Sequence, residues 1–386
     1  MFFSLSSLLS VVFLCSLLIV FIWFYLRDID RMIQIGIKSI FIIIGFIIMR
    51  LIFPFEFTFS KSFESRYFMP NIKGVLHTQL ILSNKTFTLL HIGLFIWIIG
   101  IIITAASTIK VRLYYGQVVK KLPIVYDLKI NKILHSITKE YKKTVSFQVV
   151  YLNSISTPIL YGYRCPKIFV PTLDLTYEEW YFILKHEISH YYNRDLLIKL
   201  IVQLLKIIYW WNPFVYLLNT EIDKMFEFRA DTEVTKNLSE DEKTKYLDCL
   251  LKVAKGLSIE RHNYYSVTFE SGKTSVLTQR FHLILGNYKH SKNKYLSYFL
   301  LVIPLILLLY FSFIAVFEPY SISLDHAANT IELTEDTSYL VLNSNGGYDV
   351  YINNSFFATA HEIKDSYSNL KIYDNLEEVK KYEKKK

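Results

Sequence analysis

The chain has 386 residues, 52% hydrophobic and 20% charged, with a formal net charge of +9. A mean hydropathy of +0.27 excludes both a disordered chain and an ordinary soluble domain. Cys15, Cys165 and Cys249 lie far apart without a CxxC pair, which excludes a disulfide framework and a cysteine-cluster zinc site.

Four apolar runs follow in chain order, and each predicts a transmembrane helix. Phe2–Leu26 carries no charge and exceeds the roughly 20 residues that cross a bilayer. It lacks the basic start and short apolar core of a cleaved signal peptide, so it reads as a retained span. Ile35–Phe53 holds Lys38 and Arg50 near its ends, where long side chains can snorkel to an interface. Phe87–Ile109 is the third run; Tyr295–Phe317 is the fourth, with Pro304 tolerated inside it.

Basic residues near the span ends set the orientation. Arg27 and Arg31 follow the first span, Lys110 and Arg112 follow the third, and Arg280, Lys289, Lys292 and Lys294 precede the fourth; all read as cytoplasmic. Lys61, Arg66, Lys73 and Lys85, in the loop Pro54–Lys85, fit the rule less cleanly. Both termini then lie outside the cytoplasm. Residues 318–386 hold 12 acidic and 7 basic side chains, a net −5 that leaves +14 on the rest. Topology thus accounts for the positive balance. No soluble element gathers Lys and Arg on one face, so direct nucleic-acid binding is not expected. The expected fold class is an α+β multi-pass membrane protein. Its parts are a three-helix membrane module over 1–109, a cytoplasmic domain over 110–294, a fourth membrane helix over 295–317 and a small β-rich extracytoplasmic tail over 318–386.

The central domain opens with a charged helical stretch, Leu128–Lys142, followed by β-rich segments at Val145–Leu152, Thr157–Tyr163 and Lys167–Val170. The turn Tyr163-Arg164-Cys165-Pro166 separates the last two. Thr176-Tyr177-Glu178-Glu179 resembles a capping box that opens a helix. That helix carries His186-Glu187-Ile188-Ser189-His190, an HExxH sequence. Its spacing puts both imidazoles on one face, where they can bind a single zinc, and Glu187 can act as general base on water. The motif alone arises by chance in about one such chain in a hundred, so a third ligand matters.

The metzincin solution fails, because Asn193 and Leu196 stand where that longer motif needs Gly and His. Glu227-Phe228-Arg229-Ala230-Asp231 offers a glutamate instead, with Asp231 one turn further on the same face. Glu227 is the expected third ligand, and Asp231 an acceptor that orients a ligand histidine. Asp195 is a second such acceptor or an ordinary helix-end charge; Glu221, Asp223 and Glu233 are rival carboxylates that read as solvated surface charges. Leu196–Trp211 is apolar with a polar stripe of Lys199, Gln203 and Lys206, which suits a helix that is buried or lies at the membrane interface. Asn212-Pro213 breaks it, and Phe214–Val234 returns as a second helix, with a bend near Asn193 needed to align Glu227.

Taken together, these residues resemble the BlaR/MecR-type antirepressor metallopeptidases, integral-membrane gluzincins found beside bacterial repressors. The resemblance rests on Arg50-Leu51-Ile52-Phe53-Pro54, on Ser156-Thr157-Pro158-Ile159-Leu160-Tyr161-Gly162 with Pro166-Lys167-Ile168-Phe169-Val170-Pro171, and on HExxH with Asp195. Trp210-Trp211-Asn212-Pro213 and Glu227–Asp231 complete it, and it reaches to about the fourth span. It implies four membrane helices in the bacterial cell membrane, a cytoplasmic gluzincin-like zinc metalloprotease domain between spans 3 and 4, and an external sensor. It also implies zinc held by His186, His190 and Glu227, with Glu187 as general base and proton shuttle. An external signal, of the antibiotic-response kind in this family, would activate the protease to inactivate a cytoplasmic repressor. The Thr157–Val170 strands could pair with an extended substrate or form a plain core hairpin. A homodimer is compatible with this reading.

The tail departs from the pattern. Residues 318–386 number 69, too few for a penicillin-binding sensor. Ser368-Asn369-Leu370-Lys371 spells SxxK without KTG or SDN, so β-lactam sensing is not expected. Ser338–Leu342 and Tyr348–Ile352, joined through Asn345-Gly346-Gly347, read as a β-hairpin, and His361-Glu362 lacks a second histidine. Such a module would meet a peptide, a lipid-linked precursor or another membrane protein. Two other readings stand beside this one: an HtpX- or CAAX-type processing protease, which shares an ExxxD element, and a non-enzymatic receptor, against which the intact Glu187 speaks.

Overall fold

A computed structural model describes residues 3–65, 68–82, 85–122, 127–141, 145–152, 155, 157–171, 174–261, 270–286, 294–320, 333, 337–343, 346–360, 370–375 and 378–379. Phe2, Arg66, Lys142, Ser156, Lys289, Lys292, Asn345, His361, Glu362, Ser368 and Asn369, named above, lie outside them. The chain forms two compact units, Met1–Pro319 and Tyr320–Lys386.

The first unit begins with α1 (Leu5–Leu26), α2 (Ile29–Ile35) and α3 (Ile37–Ile52). The second apolar run is one helix over nearly its whole length, α3; Gly36, at φ +84° in a conformation that side chains rarely adopt, sets its start and separates it from α2. Next come β1 (Lys61–Ser65), α4 (Phe68–His77), the hairpin β2 (Gln79–Leu82) and β3 (Lys85–Thr88), and α5 (Leu89–Lys121). The charged stretch forms α6 (Leu128–Lys139), and β4 (Gln148–Tyr151), β5 (Ile159–Tyr161) and β6 (Lys167–Val170) make a three-stranded sheet. In it β6 lies between β4, parallel to it, and β5, antiparallel, so β5 is an edge. Six helices follow: α7 (Tyr177–Tyr192), α8 (Asp195–Ile208), α9 (Pro213–Thr235), α10 (Glu240–Arg261), α11 (Glu270–Leu285) and α12 (Lys294–Ile314). A final strand, β7 (Ala315–Pro319), pairs in parallel with β1.

Among the described residues, two helical stretches are long and apolar enough to cross a membrane, Leu5–Leu26 and Leu89–Val119. A mixed helix–strand fold carrying such helices fits a membrane protein. The largest apolar core joins side chains of α1, α3 and α12 to those of α8 and α9, including Leu18, Ile44, Leu305, Val202 and Phe226. The HExxH-bearing α7 instead packs on α6 and the sheet through Ile133, Ile137, Val149, Ile168, Leu184 and Ile188.

Two expectations about the membrane module are corrected. Arg50 does not snorkel: at 1% exposure it donates through Nη1 to the carbonyls of Phe53 and Phe55, and through Nε to that of Ser312, each at 2.8 Å. Pro54 ends α3 there, and the freed carbonyls take the guanidinium. The fourth apolar run also leaves its helix early, at Ile314 rather than Phe317. Arg50 and the Ser60 hydroxyl occupy the last carbonyls of α12, those of Ser312 and Phe313, and β1 then supplies a strand partner for Ala315–Phe317.

The second unit holds a four-stranded sheet of β8 (Ser338–Leu342), β9 (Tyr348–Ile352), β10 (Ser355–Ala360) and β11 (Lys371–Tyr373), in the order β10-β9-β8-β11. β8 and β9 are an antiparallel hairpin, turning through Gly346 at φ +76°. Leu340, Val350 and Leu370 form its core.

Candidate metal centre

α7 is started by the expected capping box. The Glu179 carboxylate accepts from the Thr176 amide at 2.7 Å, and the Thr176 hydroxyl accepts from the Glu179 amide at 3.3 Å. One turn apart on the buried side of this helix, the rings of His186 and His190 lie 5.0 Å apart at 82°. The chain then bends where the alignment of Glu227 required it. Asn193 ends α7, Arg194 adopts φ +60°, and Asn193 Nδ2 donates to the Ser189 carbonyl at 2.9 Å and to Glu233 at 2.8 Å. The bend returns Asp195 onto His190, with Nδ1 and Oδ2 2.8 Å apart.

α9 packs against α7 and brings Glu227 to both histidines: His186 Nε2 lies 3.3 Å from Oε2, and His190 Nε2 lies 3.9 Å from Oε1. Ligand atoms of His186, His190 and Glu227 all fall within 4.8 Å of one another. Both histidines are held from behind. Asp195 engages His190 Nδ1, while Asp231 Oδ1, at 3.3 Å, and the Tyr246 hydroxyl, at 3.0 Å, engage His186 Nδ1. Each imidazole therefore turns Nε2 toward Glu227. Two nitrogens and one carboxylate, with the far nitrogens fixed by acceptors, fit a three-ligand zinc site with one open position.

The electrostatics favour a cation there. Burial opposes charge on His186, yet hydrogen bonds and charges from Asp231 and Glu227 outweigh it and raise the imidazole from 6.5 to about 10. Burial opposes charge on Glu227 too, but the hydrogen bond from His186 and the Arg280 charge hold it well below the usual carboxylate range. Against the same burial cost, Arg280 and His186 bring Asp231 down to about 2. In the absence of metal, a proton on His186 supplies the positive charge that these carboxylates require.

Other residues stand elsewhere than the sequence indicated. Glu221 is not a solvated surface charge; it is 1% exposed and ion-paired to Lys224. Glu233 also works inside the fold, accepting from the Tyr141 hydroxyl at 2.6 Å and from Asn193. Asp223, by contrast, is the surface charge expected, half-exposed and paired with Lys199 at 3.2 Å. Arg280, read as a topological charge, is mostly enclosed at the centre, with Nε and Nη2 each 2.7 Å from Asp231 and Nη1 3.1 Å from Glu227. Arg229 pairs with the second oxygen of Asp195. Neither Arg280 nor Tyr246 carries a motif signal, because α10 and α11 deliver them from distant sequence.

Glu187 lines a cleft of about 160 Å³ together with His190, Glu227 and Asp195. Pro158, Ile159 and Leu160 line the same cleft, so the edge strand β5 borders the space beside His190; Leu196 and Lys199 also line it.

The family profile described as BlaR1 peptidase M56 matches residues 8–284, and the chain belongs to that family. It is similar to the regulatory protein BlaR1 of Bacillus licheniformis, 30% identical over 160 residues, which are 41% of this chain and 26% of that protein. It is also similar to the methicillin resistance mecR1 protein of Staphylococcus aureus strain Mu50, 27% identical over 215 residues, 51% and 36% of the two chains. The regulatory protein BlaR1 of Staphylococcus aureus is 27% identical over 194 residues, 49% and 33%. The matched stretches thus span about a quarter to a third of these relatives' own lengths.

Proposed function

We propose that this member of the BlaR1 peptidase M56 family is a membrane-embedded, signal-activated zinc endopeptidase whose centre faces the cytoplasm. The observation that carries the reading is the convergence of His186, His190 and Glu227 beside a cleft lined by Glu187. Zinc at such a site supplies Lewis acidity toward a peptide carbonyl and makes water more acidic. The protein's own groups do the rest. Asp195 and Asp231 fix the histidine tautomers, Glu187 takes a proton from the attacking water, and the same carboxyl returns it to the leaving amine. An extended peptide lies along β5, whose outer edge is unpaired within its sheet and whose residues form the cleft wall.

In this reading the chain crosses the membrane four times, through α1, α3, the apolar part of α5 up to about residue 109, and α12, with both termini outside the cytoplasm. The protease occupies 110–294, and the tail from 318 receives the external signal. The substrate is a cytoplasmic transcriptional repressor, cleaved by the enzyme or inactivated downstream of it. New protein N-termini in cells expressing wild type or Glu187→Ala test this. A few cytoplasmic termini, among them one within a repressor and all lost in the variant, are expected under envelope stress. Identical sets in both strains under every stress applied would overturn the enzymatic reading.

A further inference from the structure

α8 and α9 hold the polar residues of the centre at one end, and at the other they make a tight turn over residues 209–212. That turn is tied to three apolar helices at once. The Tyr209 hydroxyl donates to the Leu51 carbonyl of α3 at 2.8 Å, Trp210 Nε1 to the Trp97 carbonyl of α5 at 3.2 Å, and Asn212 Nδ2 to the Ser16 hydroxyl of α1 at 3.4 Å. In return, Trp97 Nε1 donates to the Ile208 carbonyl at 2.7 Å.

Two of these partners lie at mid-depth, and the third, Leu51, lies one residue before the end of α3, on the outer side in the proposed topology and within reach of the long Tyr209 side chain. Ser16 stands ten residues before the end of α1 at Leu26, about 15 Å along a helix. Trp97 stands eight residues after the start of α5 at Leu89, about 12 Å along it. Both distances are close to half of the roughly 30 Å hydrocarbon core. Further back from the turn, past the middle of α8, Gln203 Nε2 donates to the Thr108 hydroxyl, near the cytoplasmic end of the third apolar run, at 3.1 Å.

We infer that α8 and the first turns of α9 form a re-entrant hairpin, entering from the cytoplasmic side and turning near the bilayer midplane. The surface it presents there is apolar. Leu197, Leu200, Leu204, Ile208 and Trp211 are 36–52% exposed and follow one face of α8 into the turn, continuous in kind with the exposed apolar side chains of α5. The occupant of this face is lipid acyl chain. The polar side chains of α8 have partners in the protein: Lys199 pairs with Asp223 at the half-exposed start of the helix, Gln203 donates to Thr108, and Lys206 lies over the Tyr216 ring, its long stem free to reach toward the inner surface. Leu196 and Lys199 line the cleft where α8 begins, so the centre sits at the inner membrane surface and receives substrate there.

The inference rests on the proposed spans, and the test separates the two. In full-length protein carrying Cys165→Ser and reconstituted in phosphatidylcholine nanodiscs, a fluorophore is placed on Leu204→Cys, Ile208→Cys or Trp211→Cys. Ile102→Cys, on the third apolar run, and Leu128→Cys, at the start of α6, are the controls. Nanodiscs with mid-chain nitroxide lipid should quench 204, 208 and 211 as strongly as 102, with no loss at 128. Aqueous iodide should quench only 128. If iodide reaches 204 and 208 while 102 stays protected, the hairpin lies outside the bilayer and the inference falls, with the spans intact. Iodide quenching at 102 as well overturns both. Protection of 204 and 208 from both quenchers means that a second copy covers the face, which also overturns lipid contact.

Discussion

Asp195 holds His190 from behind: its Oδ2 is 2.8 Å from Nδ1, and its other oxygen pairs with Arg229. The second pair leaves Asp195 little freedom to turn away. Replacing it removes the acceptor that sets the His190 tautomer and strands the Arg229 cation over the Phe41 ring. Asp195→Ala is expected to weaken zinc binding by about 10–100-fold. Competition against a chromogenic chelator measures this, and wild-type affinity in the variant would remove Asp195 from the centre.

Arg280 bridges the proposed ligand Glu227 and its neighbour Asp231 through three nitrogens. A lysine keeps the charge but not the fork. Arg280→Lys is therefore expected to lose zinc faster than wild type, and Arg280→Ala faster still, by about 10-fold or more. The visible spectrum of the Co²⁺ form should shift in both variants if Glu227 is misaimed, whereas a purely structural role leaves it unchanged in whatever fraction folds.

The His186 imidazole gives the metal-free protein a distinct pH dependence. Its folded value is raised from 6.5 to about 10. Its protonation thus stabilises the metal-free fold fully below about 6.5, and that contribution is lost as pH rises toward 10. Zinc competes with the same proton, so apparent zinc affinity should rise by about ten-fold per pH unit across that window. Thermal melts with and without zinc from pH 6 to 10 should show a stabilisation by metal that grows with pH; a constant gap would contradict the charge balance described.

Local chemistry made part of this centre legible. Helical spacing brings His186 and His190 together, and the residues after the bend at Asn193 place Asp195 within reach. Glu227 and Asp231 share a helix face by the same arithmetic. Arg280 was not legible, because its partner Asp231 lies 49 residues away and a basic residue ahead of an apolar run has a ready topological explanation. Tyr246 meets His186 across 60 residues and resembles any other core tyrosine in sequence. Arg50 misled for a related reason: a basic residue at the end of an apolar run suggests an interface, while its actual acceptors are carbonyls that only the fold brings near.

Gly100 and Trp210 test the seat of the α8–α9 turn. A Cβ at Gly100 would collide with the Trp210 indole, whose Nε1 is committed to the Trp97 carbonyl. Gly100→Val should cost about 1–3 kcal/mol through overpacking, and Trp210→Ala in the same chain should recover part of it. Denaturation in detergent micelles reads both. Full additivity of the two substitutions would show that they do not touch.

The most direct measurement pairs metal content with peptide-bond cleavage in purified full-length wild type, Glu187→Gln and Glu227→Ala. A zinc centre with a separate base predicts one zinc per chain in wild type and Glu187→Gln, little in Glu227→Ala, and cleavage by wild type alone. Cleavage by Glu187→Gln at the wild-type rate, or full zinc in Glu227→Ala, would contradict it.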